Sequence, residues 1–91
     1  MGEARTVVIE LYGVPRLRAG VGEVTVTAAT AREALRGLER ACPALAGLMD
    51  SCGRLAPQYL LSIDGCQFVA DLGRPLQGGE RLVLLSADAG G

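Results

Sequence analysis

The apolar residues of this chain change their spacing once near its start, from alternation to the three-and-four rhythm of a helix. That switch limits the possible folds more than any other feature. Thr6 to Tyr12 puts Val7, Ile9 and Leu11 on one face and Thr6, Val8, Glu10 and Tyr12 on the other, the pattern of a strand with one strongly buried face. Glu23 to Ala28 alternates again, with Val24, Val26 and Ala28 opposite Glu23, Thr25 and Thr27. Between them, Gly13 to Gly20 reads as a loop, because Pro15 cannot donate to a ladder and both glycines punctuate. Two strands and one loop predict a hairpin.

From Ala31 the apolar side chains (Ala31, Ala34, Leu35, Leu38, Ala41, Cys42 and Leu45) form one helical stripe, and Arg32, Glu33, Arg36, Glu39 and Arg40 fill the other side. Thr30-Ala31-Arg32-Glu33 fits a capping box, and Pro43 ends the helix near Ala41. Ala44 to Met49 fits a short turn. Tyr59 to Ile63 reads as a third strand, turned by Asp64-Gly65 onto a short partner, Cys66 to Val69. Leu72 to Glu80 is turn-rich, Arg81 to Leu85 is a last apolar strand, and small residues fill positions 86–91. Strands around one helix predict an α+β domain over residues 1–85, its helix on one sheet face. Residues 86–91 would follow as a flexible tail, since two alanines give it little to bury against the entropy of ordering.

Composition removes several function classes. Of the 91 residues, 49% are hydrophobic, yet there is one Phe, no Trp and two Tyr, so the core must be Leu, Val, Ile and Ala. The net charge of −1, with nine Arg and no basic cluster, argues against nucleic acid as a partner. No apolar run is long enough for a membrane span, and Met1 to Arg5 lacks a signal-peptide pattern, so a cytoplasmic protein is expected. The chain has no histidine, which excludes Ser-His and Cys-His catalysis. Cys42, Cys52 and Cys66 are widely spaced, so no metal site is expected and reduced thiols are the simplest reading.

With no catalytic constellation upstream, the Ala89-Gly90-Gly91 tail carries the chemical argument. Two readings fit it. One is a frayed terminus, common wherever a chain ends. The other is an extended arm that threads a narrow channel, because glycine accepts almost any backbone angle. Gly91 would then present a carboxylate for activation, with Gly90 as the spacer.

The chain resembles the MoaD/ThiS family of ubiquitin-fold sulfur carriers, and most resembles the molybdopterin synthase small subunit. The resemblance rests on Leu11-Tyr12-Gly13 with Leu17-Arg18, on Ala34-Leu35-Arg36-Gly37-Leu38 with Pro43-Ala44-Leu45, and on Ile63-Asp64-Gly65. It continues in Pro75-Leu76-Gln77-Gly78-Gly79-Glu80 and ends in Ala89-Gly90-Gly91. It implies a β-grasp fold: a mixed four- to five-stranded sheet, one main helix across it, and the first and last strands adjacent at its centre. It also implies a carrier rather than an enzyme, with no bound cofactor. An E1-like enzyme would use ATP to adenylate Gly91, a sulfur donor would convert it to a thiocarboxylate, and a sulfur-accepting synthase subunit or enzyme would consume the sulfur. The chain departs from the family at Asp64, often Asn, at Gly79, often Asp, and at Ser86 and Ala87, often prolines. The alternative is a ubiquitin-like modifier joined through Gly91 to a lysine of a target protein. The chain has no lysine on which to build polymers of itself.

If Leu82 and Leu84 point at the helix, Val83 and Leu85 join Val8 and Leu60 on the open sheet face, and with Ala89 of the tail they form a candidate partner-binding surface. Scattered exposed apolar residues are the competing reading. Arg16 and Arg18 read as part of a solvated loop, and the cysteines as structural rather than as sulfur carriers.

Overall fold

The computed structural model describes residues 4–64 and 67–87. In chain order the elements are β1 (Arg5–Leu11), α1 (Val14–Ala19), β2 (Glu23–Ala28), α2 (Ala31–Ala41), a 3₁₀ turn (Pro43–Leu45), β3 (Tyr59–Ile63), β4 (Gln67–Phe68) and β5 (Arg81–Ser86). The five strands form one mixed sheet in the order β2-β1-β5-β3-β4. β1 and β5 lie parallel at its centre, and the other pairs are antiparallel. This is the β-grasp arrangement, an α+β fold with α2 packed across one face.

α2 begins where its sequence signals put it. Thr30 is extended at the N-cap and its hydroxyl accepts from the Glu33 amide at 3.2 Å. The Glu33 carboxylate reaches back one residue beyond the cap, accepting from the Ala29 amide at 2.8 Å. Ala31, Ala34, Leu35 and Leu38 are buried against Val7, Ile9, Leu11, Leu82 and Leu84 in one core cluster. Ala41, placed on the same stripe, is exposed, because it lies in the last turn as the helix runs out. Glu39, on the side opposite the apolar stripe, binds backbone, its carboxylate accepting from the amides of Gly47 and Leu48 at 3.1 and 3.0 Å. It thereby ties the following loop to α2 and seats Leu48, which is fully buried.

The segment expected as a loop between β1 and β2 contains a helix instead. Pro15 breaks a sheet ladder, but in the first turn of a helix its missing N–H removes a donor that would have lacked an intrahelical partner anyway. Gly13 enters α1 with φ 67 and Gly20 closes it in the left-handed region at φ 77. The glycines that punctuate the segment are therefore helix caps. Arg16 and Arg18 stand on this helix, not on a loop. At the other end of the sheet, β4 spans two residues where a four-residue partner was expected. Gly65 and Cys66 lie outside the described residues. Asp64 turns with φ 55, a conformation that Asp tolerates better than most residues.

Candidate functional site

The side of the sheet away from α2 is assembled from the alternate residues of each strand. Register pairs Val8 with Arg81, Glu10 with Val83, Leu60 with Leu85 and Ser62 with Val83, so all of these share one face. The four described members of the expected patch, Val8, Leu60, Val83 and Leu85, are brought together there across three adjacent strands. Each is half-buried, and Leu60 sits directly opposite Leu85. Ala89, the fifth member, lies outside the described residues.

Sequence reasoning missed Phe68. It pairs with Ser62, which places it on the same face, and it is 70% exposed. With Leu60 it borders a groove of about 370 Å³ that Leu55 and Pro57 also line. A signal was available: Phe68 is the chain's single phenylalanine and alternates with Val69, whose side chain is buried in the core. In the alternation of a half-buried strand, that puts the ring on the open side.

The β1–β2 side of the same face is ionic. Glu10 and Glu23 stand directly opposite each other, a like-charge pair that destabilises a sheet. Arg81 from β5 resolves it, its Nε 2.6 Å from Glu10 Oε2 and one terminal nitrogen 3.0 Å from Glu23 Oε2. Tyr12 donates its hydroxyl proton to Glu10 Oε1 at 2.7 Å. The bond from Tyr12 and then that from Arg81 hold the Glu10 carboxyl below its ordinary range. The same bond raises the Tyr12 phenol, since ionising it would place two negative charges together. The apolar patch therefore has a fixed polar border toward β2.

The root of the arm is more tightly held than its small side chains suggest. Ser86, expected as the first residue of the tail, is the last of β5 and is buried. Its hydroxyl oxygen accepts from the Val14 amide at 3.0 Å, satisfying a free donor at the start of α1. The next residue is fixed too, its Ala87 amide donating to the Gln58 carbonyl at 2.8 Å. Gly13 completes the junction: a Cβ there would come within 3.0 Å of Ser86 Oγ. Beside it a cavity of about 200 Å³ is lined by Val14, Arg18, Gln58, Tyr59 and Ser86. Arg18 crosses it to donate to the Tyr59 hydroxyl at 3.3 Å. Gly90 and Gly91, the residues expected to carry the chemistry, lie outside the described residues.

Of the cysteines, Cys42 is half-buried against the core and Cys52 is exposed. Among the described residues no group of three or more Cys, Asp or Glu side chains is placed to hold a metal. No helix among them is long and apolar enough to cross a membrane.

No protein-family model and no curated protein matches the chain. Solved structures do. Small archaeal modifier protein 1 of Haloferax volcanii is 28% identical, with a TM-score of 0.81 over 94% of this chain and 99% of its own. The protein of the same name from Methanosarcina acetivorans is 21% identical, with a TM-score of 0.82 over 99% of this chain and all of its own. A Pyrococcus furiosus protein described as molybdopterin converting factor, subunit 1, is 14% identical, with a TM-score of 0.73 over 90% of this chain and 97% of its own. At those last two identities the likeness speaks for the fold alone.

Proposed function

We propose that this chain, whose solved neighbours match the MoaD/ThiS-like ubiquitin-fold family that its sequence resembles, is a sulfur carrier that works through the carboxylate of Gly91. The observation that carries the reading is the place from which the arm departs. It leaves the end of β5, a central strand of the sheet, from a root held by Ser86 and Ala87. The Ala89-Gly90-Gly91 sequence follows within a few residues. A fixed root and a short glycine arm give a partner a defined direction from which to receive the carboxylate.

In this reading residues 1–85 with Ser86 are the carrier body and the remaining residues are the arm. A carboxylate is a poor acyl donor. An E1-like adenylating enzyme in the cytoplasm would use ATP to convert that of Gly91 to a mixed anhydride with AMP, releasing pyrophosphate. Sulfide would then attack the carbonyl carbon, AMP would leave, and a thiocarboxylate would remain. The chain itself contributes no acid, base or cofactor to these steps. It contributes a slender acyl group and a surface. That surface is the patch of Val8, Leu60, Val83 and Leu85, extended by Phe68, on which an activating enzyme or a sulfur-accepting synthase subunit would sit.

A second reading has a specific support: the 28% identical neighbour is named a modifier protein. There the same activated Gly91 would be attacked by a lysine amine of a target, forming an amide. Activation is shared and the nucleophile decides. Incubation of the chain with its activating enzyme, ATP and sulfide, followed by intact-mass measurement, separates the two. The carrier reading expects one oxygen exchanged for sulfur, in the chain ending at Gly91 and not in one ending at Gly90. Accumulation of lysine conjugates in cell extract with no thiocarboxylate formed would favour the modifier instead.

A further inference from the structure

β2 is an edge strand, and the ladder shows which of its backbone groups are unused. The Leu11 amide donates to the Gly22 carbonyl at 2.8 Å. In an antiparallel pair, hydrogen-bonded positions recur every second residue, so Val24, Val26 and Ala28 bond to β1 through the register that pairs them with Ile9, Val7 and Arg5. The N–H and C=O groups of Glu23, Thr25 and Thr27 therefore point away from the sheet. Among the described residues, no other strand pairs with β2, and no backbone bond reaches the outward groups of Thr25 or Thr27. A row of such groups is a template for another strand.

Beside this edge runs a groove of about 330 Å³ lined by Thr27, Glu33, Arg36, Gly37 and Arg40. The four α2 residues are spaced three and four apart, so they form one stripe of the helix flanking the strand. Gly37 lets α2 lie close to β2, since a Cβ there would stand 3.4 Å from the Val26 side chain. Both arginines are exposed. Among the described residues the ion pairs all belong to Arg81, so neither Arg36 nor Arg40 has a carboxylate within 4.0 Å. Glu33 is the one acid in the groove, and one of its oxygens is committed to the Ala29 amide. The groove thus offers two unneutralised guanidinium groups alongside an unpaired edge.

We propose that the β2–α2 groove binds an acidic, extended segment of a partner protein, which adds as a sixth strand to β2. Its main chain pairs with the outward groups of Thr25 and Thr27, and its carboxylates on the helix side meet Arg36 and Arg40. Side chains on its other face lie beside the Thr25 and Thr27 hydroxyls. Strand addition supplies affinity and the alternate side chains supply selectivity. The site is independent of the arm chemistry, because β1 separates β2 from β5.

The test uses a synthetic peptide of alternating threonine and glutamate, and a control with lysine at the glutamate positions. Each is titrated into the full chain by amide NMR. Shifts concentrated on β2 and the Arg36–Arg40 stripe with the acidic peptide, and their absence with the lysine control, are expected. The Arg36→Glu/Arg40→Glu variant should weaken binding about tenfold or more, the size of effect seen when one partner of a charge pair is reversed or removed at an interface. Thr25→Pro removes an outward donor without touching the β1 ladder, a place where edge strands tolerate proline, and should abolish the β2 shifts. If that variant fails to fold, N-methylating alternate residues of the peptide removes the same bonds from the other side. Equal binding of both peptides, shifts centred on Val83 and Phe68, or no shifts at millimolar peptide would each overturn the proposal.

Discussion

The two faces of the sheet are built from the same few residue types and serve opposite ends. On the helix side, Ile9, Leu11, Leu35, Leu38, Leu82 and Leu84 are fully enclosed. On the open side, Val8, Leu60, Val83 and Leu85 are only half covered and Phe68 stands out into solvent. Antiparallel sheets usually turn polar residues outward, and the Glu10–Arg81–Glu23 side of the open face does so. The neighbouring apolar stretch does not. The difference separates residues that hold the fold from residues available to a partner.

The largest loss is expected from cutting into the enclosed side. Leu35→Ala should cost about 2–5 kcal/mol, the usual range for emptying a closed leucine site, measured by chemical denaturation. A loss within the noise of the curve would mean that α2 does not seal the core. Next is the root of the arm. Ser86→Ala leaves the Val14 amide without its partner and should cost about 1–3 kcal/mol, with faster hydrogen exchange at Val14. No change in either would remove the root from the account. On the open face the expectation reverses. Phe68→Ser should change stability by no more than about 0.5 kcal/mol, as surface substitutions usually do, while weakening capture by the activating enzyme. A large stability loss would make Phe68 part of the core instead.

The smallest effect sharpens the polar border. Glu10→Gln should let the Tyr12 phenol titrate nearer its ordinary 10.0, followed by tyrosinate absorbance. The Glu10 carboxyl titrates below its ordinary range. Whatever stability its ionisation contributes is present above its unfolded pKa, near 4.5, and is lost as pH falls through the lower folded value. For Tyr12, whose folded value is raised, the contribution is present below the unfolded pKa and is lost as pH rises through the folded one. A Tyr12 titration unmoved by Glu10→Gln would show that the contact is not formed in solution.

Much of this was legible in the residues. Alternation assigned both faces of β1 and β2, the Thr30 cap fixed the start of α2, and the resemblance supplied the adjacency of β1 and β5 at the centre that local pattern cannot reveal. What escaped depended on contacts distant in sequence. α1 was missed because Pro15 and the flanking glycines break a strand and cap a helix equally well. The Val14 amide that favours the helix is satisfied by Ser86, 72 residues away. Ser86 falls with the tail in the sequence because a small polar side chain announces no burial. Phe68 escapes because its side of the strand shows only once the neighbouring Val69 is seen to be buried. The body of the fold is thus easier to read in the residues than the root of the arm and the rim of the open face.

Whether Gly91 carries the sulfur is decided by peptide mapping. The chain with all three cysteines changed to alanine is treated with its activating enzyme, ATP and sulfide, then digested and analysed by mass spectrometry. One oxygen exchanged for sulfur is expected in the peptide ending at Gly91, to the same extent as in the unaltered chain. An unmodified C-terminal peptide, in a chain that still folds and binds the activating enzyme, would contradict it.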